Sequence, residues 1–338
     1  MKRILIVNVN WLGDVLFSTP IFKALKKKYP NSYIACMIPA RCKEILEGNP
    51  NLDEIILFNE RAEQKGMFAK LRFISQLKKK DFDTAFLLHR SFTKALIVYL
   101  SGIPERIGYF RKKRNLLLTK SIIPPDKDRV HRLEYYLNLI ESQGIKVEDK
   151  SCEVFVSEAD KEHIKNLLIE NGISDNDFVV AINPGGNWNL KRWPKGHFAE
   201  LADKLVSDLD VKIIITGAKK DIRLAEEISN LMKAKPIIFC GKTTLKQLAA
   251  LFKKVNLVIS ADSGPMHIAN ALGAKLIALF GPTSPGITGP YNKENCIILK
   301  SEVNCKIPCY ILDCKNNICM KNIKPDEVLG EIKKEFNY

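Results

Sequence analysis

Three short polar segments hold most of the residue types able to do chemistry. The first, Asn10-Trp11-Leu12-Gly13-Asp14, carries one carboxylate after an apolar run. Asp14 reads either as a general base accepting a proton from an incoming hydroxyl or as a cap near the start of a helix. A helix N-terminus lowers a carboxylate pKa, so a base here would act through placement rather than a tuned pKa. The second segment runs from Asn183 to Pro194. In it Gly185 and Gly186 permit close backbone approach, and Lys191 and Arg192 bring positive charge between Trp188 and Trp193, which suggest a walled pocket. A fixed cation selectively stabilises a departing diphosphate, whose negative charge grows in the transition state. The plainer reading is a glycine turn followed by solvated basic residues. The third segment, Asp262-Ser263-Gly264-Pro265-Met266-His267, reads as a tight turn between a buried strand and a helix. Such a junction aims free backbone N–H groups and a positive dipole end outward, which makes an anion site from main chain. His267 alone on that helix reads as structural.

Further candidates are less specific. Thr216-Gly217-Ala218-Lys219-Lys220-Asp221 is another strand-to-helix turn, in which Asp221 serves ribose hydroxyls or caps the helix. Arg106, Arg111, Lys112, Lys113 and Arg114 fall in a stretch read as loop, 102–125, and would grip phosphates or stay exposed and unengaged. Cys305, Cys309, Cys314 and Cys319 cluster without a CxxC pair, so free thiols are expected, with zinc or disulfides as alternatives. No GxxxxGK[ST] phosphate loop occurs.

The elements that position these loops alternate strand and helix. In the first half, strands are expected at 4–9, 33–38, 54–58 and 84–88, with helices at 19–28, 42–47, 67–78, 92–100 and 131–143. The second half repeats the scheme, with strands at 179–183, 212–216, 236–240, 257–260 and 276–280. This implies α/β architecture with two doubly wound, Rossmann-like domains whose ligands sit at the carboxyl ends of strands. If the two sheets face each other across a cleft, all three loops line it. The expected boundaries are 1–160 and 175–322, with a closing segment 323–338 packing back on the first domain.

The chain has 338 residues and a net charge of +15, from 53 basic and 38 acidic side chains. That balance favours polyanionic partners such as phosphorylated substrates, an anionic membrane face or nucleic acid. No RRM, KH or zinc-finger pattern supports nucleic acid. No apolar run reaches the roughly 20 residues of a membrane helix. Nine cysteines without an export signal point to a cytoplasmic chain.

In order and spacing, several segments together resemble glycosyltransferase family nine, the ADP-heptose:lipopolysaccharide heptosyltransferases. They are Gly13-Asp14-Val15 with Thr19-Pro20, Pro184-Gly185-Gly186 with Lys191-Arg192-Trp193-Pro194, Gly217-Ala218 with Asp221, the run Asp262 to Ala269, and Phe280-Gly281-Pro282-Thr283. Arg106-Ile107-Gly108-Tyr109 and the basic loop look closer to the second heptosyltransferase of the inner core than to the first. The resemblance implies the GT-B fold and an inverting transfer with no cofactor and no catalytic metal. The implied partners are an ADP-heptose donor, a phosphorylated inner-core lipopolysaccharide acceptor and the cytoplasmic face of the inner membrane. It implies Asp14 as base and Lys191 as the cation steadying ADP. It also implies donor contacts at Gly185, Gly186, Arg192, Asp221, Asp262, Ser263, Gly264, His267 and Thr283. Acceptor contacts are expected at Arg106, Arg111, Lys112 and Arg114. The alternatives left open are another GT-B sugar-nucleotide enzyme (an epimerase or a transferase of a different sugar), a sugar-nucleotide sensor without catalysis, and a basic nucleic-acid-binding protein.

Overall fold

The computed structural model describes every residue except Arg61, Tyr310, Leu312, Asn337 and Tyr338. The chain divides into two compact units, 1–155 and 156–338.

The first unit contains β1 (Arg3–Val7), α1 (Leu12–Phe17), α2 (Thr19–Lys28), β2 (Tyr33–Ile38), α3 (Lys43–Leu46), β3 (Glu54–Leu57), α4 (Met67–Lys78), β4 (Thr84–Leu87), α5 (Phe92–Leu100), β5 (Glu105–Tyr109), β6 (Lys120–Ile122) and α6 (Arg132–Glu141). Its six strands form one parallel sheet in the order β3-β2-β1-β4-β5-β6. Ile4, Leu5, Ile6 and Val7 are completely buried, as expected for a central parallel strand covered on both faces. Pro20 in the first turn of α2 and Lys26–Lys28 in its last turn suit the missing first-turn bonds and the negative dipole end.

Two sequence expectations change here. Asp14 does not precede a helix beginning at residue 19, because α1 forms first and joins α2 at Ser18. The segment 102–125 is not all loop, since it holds β5 and β6. Glu105, Arg106 and Gly108 interrupt the apolar pattern of β5. Gly108 is required there because a Cβ would lie 2.8 Å from Nη2 of Arg114.

The second unit contains α7 (Glu158–Glu170), β7 (Val179–Asn183), α8 (Lys195–Leu209), β8 (Lys212–Ile215), α9 (Ile222–Leu231), β9 (Ile237–Ile238), α10 (Leu245–Lys254), β10 (Leu257–Ala261), α11 (Gly264–Ala271), β11 (Leu276–Phe280), α12 (Pro285–Thr288), β12 (Cys296–Lys300), α13 (Ile318–Lys321) and α14 (Pro325–Phe336). Its strand order, β12-β11-β10-β7-β8-β9, repeats the winding of the first sheet. Residues left between the expected domains form α7, which a Ser157–Asp160 capping box opens. For the closing segment, the sequence suggested docking on the first domain. Instead α14 packs on α8, with Val328, Leu329 and Ile332 in the second unit's own core. Residues 337 and 338 of that segment lie outside the described residues.

In each sheet the winding reverses once, between β1 and β4 and between β7 and β10. Loops leaving those strand pairs diverge, which opens a crevice at the carboxyl edge. No helix of the described chain is long and apolar enough to cross a membrane.

Candidate active site

In the second unit the crevice gathers the loops after β7, β8, β10 and β11. Asp262 follows β10 and is buried. Its Oδ2 accepts from Lys191 Nζ at 2.7 Å, Thr283 Oγ1 at 2.7 Å and Thr288 Oγ1 at 3.2 Å. Its Oδ1 faces His267 Nε2 at 3.9 Å. Residues of three segments, the β7 loop, α11 and the stretch after β11, therefore surround one carboxylate. Lys191 carries three N–H donors, and Asp262 takes one of them. The ammonium also lies 5.8 Å from the centre of the Trp188 ring.

The first turn of α11 opens beside this cluster. Ser263 stands at the N-cap without capping through its side chain. Its hydroxyl instead pairs with Ser260 and accepts from Asn183 Nδ2. Pro265 occupies the first turn, where a missing N–H costs nothing. At this helix end an anion would meet backbone N–H groups and the dipole rather than a capping side chain.

The β7 loop behaves differently at its two glycines. A Cβ on Gly185 would meet the Asp221 carboxylate at 2.8 Å, whereas Gly186 has open space around it. Asp221 accepts from the Ala218 N–H at 3.0 Å, which locks the turn after β8. Glycine at 185 therefore serves packing, and Gly186 is the position with room for a ligand. Arg192 donates to the Gly186 carbonyl at 2.7 Å and lies 3.8 Å from Asp221. Two buried donors of this loop, Trp188 Nε1 and Arg192 Nε, find no acceptor among the described residues. The expected pair of tryptophan walls is reduced to one. Trp193 is buried in the core, where its indole N–H donates to the Ile323 carbonyl at 3.0 Å.

The crevice of the first unit is a cavity of about 270 Å³ lined by Asn10, Trp11, Asp14, His89, Arg90, Lys127, Arg132 and Tyr136, among others. Asp14 stands in the first turn of α1, where Trp11 takes the N-cap position with no side-chain cap hydrogen bond, so Asp14 is a first-turn acid rather than the N-cap. The Tyr136 hydroxyl donates to Asp14 Oδ1 at 2.9 Å. Burial, reinforced by Asp14, pushes the Tyr136 hydroxyl well above its ordinary pKa, so it remains a donor.

Beneath the β1 loop lies a buried lysine. Lys94 Nζ donates to the Asn8 carbonyl and to Asn10 Oδ1, both at 2.9 Å. Burial lowers its pKa to about 8. Asn10 also lies 3.0 Å from His89 Nε2, and Arg41 donates to its carbonyl. Burial, followed by the charges of Lys94 and Arg114, lowers His89 to about 3, which leaves it neutral at physiological pH.

The expected acceptor cations separate into two kinds. Arg111 and Lys112 are exposed at the cavity's edge of the sheet, with Arg111 donating to the Arg90 carbonyl at 3.1 Å. Arg114 is completely buried rather than presented by a loop. Its guanidinium donates to the carbonyls of Tyr109, His89 and Leu87 at the ends of β4 and β5. Arg106 is likewise spent on the carbonyls of Leu117 and Pro104 and lies over the Tyr99 ring. Both therefore shape the loop rather than reach out from it. Sequence reasoning missed Tyr136, Thr288 and Lys94. A lysine inside the apolar run of α5 was the one visible signal; the other two are distant in sequence from the carboxylates they hold.

All nine cysteines are free thiols. Among the described residues, no group of three or more His, Cys, Asp or Glu side chains is arranged to hold a metal ion.

Two doubly wound six-stranded units in one chain, each with its own switch-point crevice, define the GT-B class of α/β glycosyltransferase. The chain belongs to glycosyltransferase family 9 (heptosyltransferase), whose profile matches residues 70–317. Lipopolysaccharide heptosyltransferase 2 of Escherichia coli K12 is 30% identical over 310 residues, covering 88% of this chain and 87% of that one. The crystal structure of a family 9 glycosyl transferase from Veillonella parvula superposes with a TM-score of 0.90 at 26% identity, over 98% of this chain and 96% of that chain. The structure of E. coli ADP-heptose lps heptosyltransferase II gives 0.82 at 26% identity, over 99% and 98%. The family expected from the sequence is thus the family found, and the chain is a glycosyltransferase.

Proposed function

We propose that this enzyme transfers heptose from ADP-heptose to a phosphorylated inner-core lipopolysaccharide acceptor, with inversion at the anomeric carbon and without a catalytic metal. The names of its relatives support the donor and the acceptor. The observation that carries the reading is the second unit's cluster, in which Lys191 and the N-terminus of α11 converge beside Asp262.

In this reading Asp14 takes the proton of the acceptor hydroxyl as that oxygen attacks the anomeric carbon. The bond from that carbon to the diphosphate breaks in the same step, and ADP leaves with the electron pair. Lys191 and the α11 amides receive the growing charge, an interaction stronger in the transition state than in the ground state. Gly186, Arg192 and Ser263 line the donor's path, Asp221 lies toward the ribose, and Asp262, held by His267 and Thr283, presents a carboxylate to the heptose. Tyr136 aims the Asp14 carboxylate. Arg111 and Lys112 meet acceptor phosphates, while Arg106 and Arg114 hold their loop in shape. The enzyme works at the cytoplasmic face of the inner membrane as a peripheral protein.

ADP release from ADP-heptose, with and without acceptor, tests this. Acceptor-dependent release is expected to fall at least about 100-fold in Asp14→Asn while ADP binding is retained. In Lys191→Ala, turnover should fall more than donor affinity. Wild-type turnover in Asp14→Asn would remove the base assignment.

A further inference from the structure

Exposed apolar side chains are normally scattered, but the most exposed ones of the first unit lie in segments that leave the carboxyl ends of its strands. Apart from Met1, the four most exposed large apolar residues among the described ones are Phe68 (89%), Leu116 (86%), Ile123 (85%) and Met67 (77%). All four follow the carboxyl ends of strands. Met67 and Phe68 open α4 after β3, Leu116 lies in the 3-10 turn after β5, and Ile123 directly follows β6. Both α4 and the 3-10 turn pack against α5, whose first residue, Phe92, is itself 47% exposed. The core takes Phe73 and Leu77 from the far half of α4, and Met67 and Phe68 in its first turn stand exposed.

The charge around this edge has one sign in excess. Lys65 and Arg72 flank the start of α4, and exposed Arg111, Lys112 and Lys113 precede Leu116. Glu60 and Glu63 are the acids of the loop that enters α4. Apolar side chains among lysines and arginines suit a lipid surface with anionic headgroups: the rings and aliphatic chains enter the acyl boundary while the cations stay at headgroup level. The same edge borders the Asp14 cavity, which His89 and Arg90 line immediately after β4.

We infer that the edge formed by the first turns of α4, the 3-10 turn Arg114–Leu117 and Ile123 docks on an anionic lipid bilayer and thereby holds the Asp14 cavity at membrane level. A lipid-anchored acceptor then presents its sugar to the cavity without leaving the membrane. The usefulness of this arrangement rests on the proposed lipid-linked acceptor. The docking itself is measured without turnover, so failure of one is distinguishable from failure of the other.

Sedimentation of the full chain with phosphatidylcholine vesicles, with and without phosphatidylglycerol, is the test. Binding should need phosphatidylglycerol and should weaken about tenfold or more in high salt, where surface charges are screened. Phe68→Ser combined with Leu116→Ser should reduce binding about tenfold at low salt, because both the ring and the aliphatic chain lose their contact with the acyl boundary. The same variant should melt like the parent and keep full transfer to a deacylated, soluble acceptor. Equal binding by parent and variant overturns the inference. So does equal binding to neutral and anionic vesicles. A parent that dimerises in solution, with the dimer lost in the variant, assigns the edge to a second copy and also overturns it.

Discussion

Buried polar side chains in both crevices do more holding than reacting. Lys94 is the clearest case. Its ammonium fastens Asn8 and Asn10, and through them the loop that leads into Asp14. Its pKa falls from an ordinary 10.5 to about 8 because burial penalises the charge. Between those values the unfolded chain binds more protons than the folded one, so stability rises with pH across that window. The stability of the parent minus that of Lys94→Met should stay flat below about pH 8. Above it, the difference should climb by on the order of 3 kcal/mol toward pH 10.5. Urea unfolding midpoints from pH 7 to 10.5 read this directly, and parallel curves for the two proteins would refute it. A lysine in an apolar helical run was visible in the sequence, but its partners across the sheet were not. The same limit hid Tyr136, which lies 122 residues from Asp14. Arg114 was misread for a related reason. Four cations in four consecutive positions look alike as letters, and only the open carbonyls of β4 and β5 select one of them for burial.

At the level of elements, the apolar runs and their turn residues were legible and the short edge pieces were not. β1, β7, β10 and β11 are continuous buried runs, and each stands where its pattern put it. β6 has only three residues, Lys-Ser-Ile, with two of them exposed, and carries no periodicity to read. Capping chemistry fixes the start of α10 independently of any apolar pattern. Thr244 accepts from the Gln247 N–H, and the Gln247 side chain accepts from the Thr244 N–H, which closes a reciprocal box on α10. Thr244→Ala should therefore cost about 1 kcal/mol of stability. Because α10 packs on α7 and α11, the loss should register in global unfolding rather than in local fraying. An unchanged denaturation midpoint would show that the box is ornamental.

For the whole molecule, the two-unit plan followed from alternation of strand and helix, and the family from five segments in fixed order. What stayed illegible was allegiance. Nothing in the letters of α14 says which core it joins, whereas its Val328, Leu329 and Ile332 complete that of the second unit. Since each unit owns a sheet, a core and a crevice, residues 156–338 should fold alone with a cooperative melt and bind ADP within about tenfold of the full chain. A fragment that is molten by near-ultraviolet circular dichroism would contradict this. Both sheets are wound alike, and the chain passes from one to the other once, between Phe155 and Val156. A single splice point makes the halves exchangeable cassettes. On the proposed assignment of acceptor to the first unit and donor to the second, grafting residues 1–155 from a relative onto this second half should transplant acceptor preference and leave nucleotide recognition untouched, which would let evolution change what is sugar-coated without relearning how to read the donor.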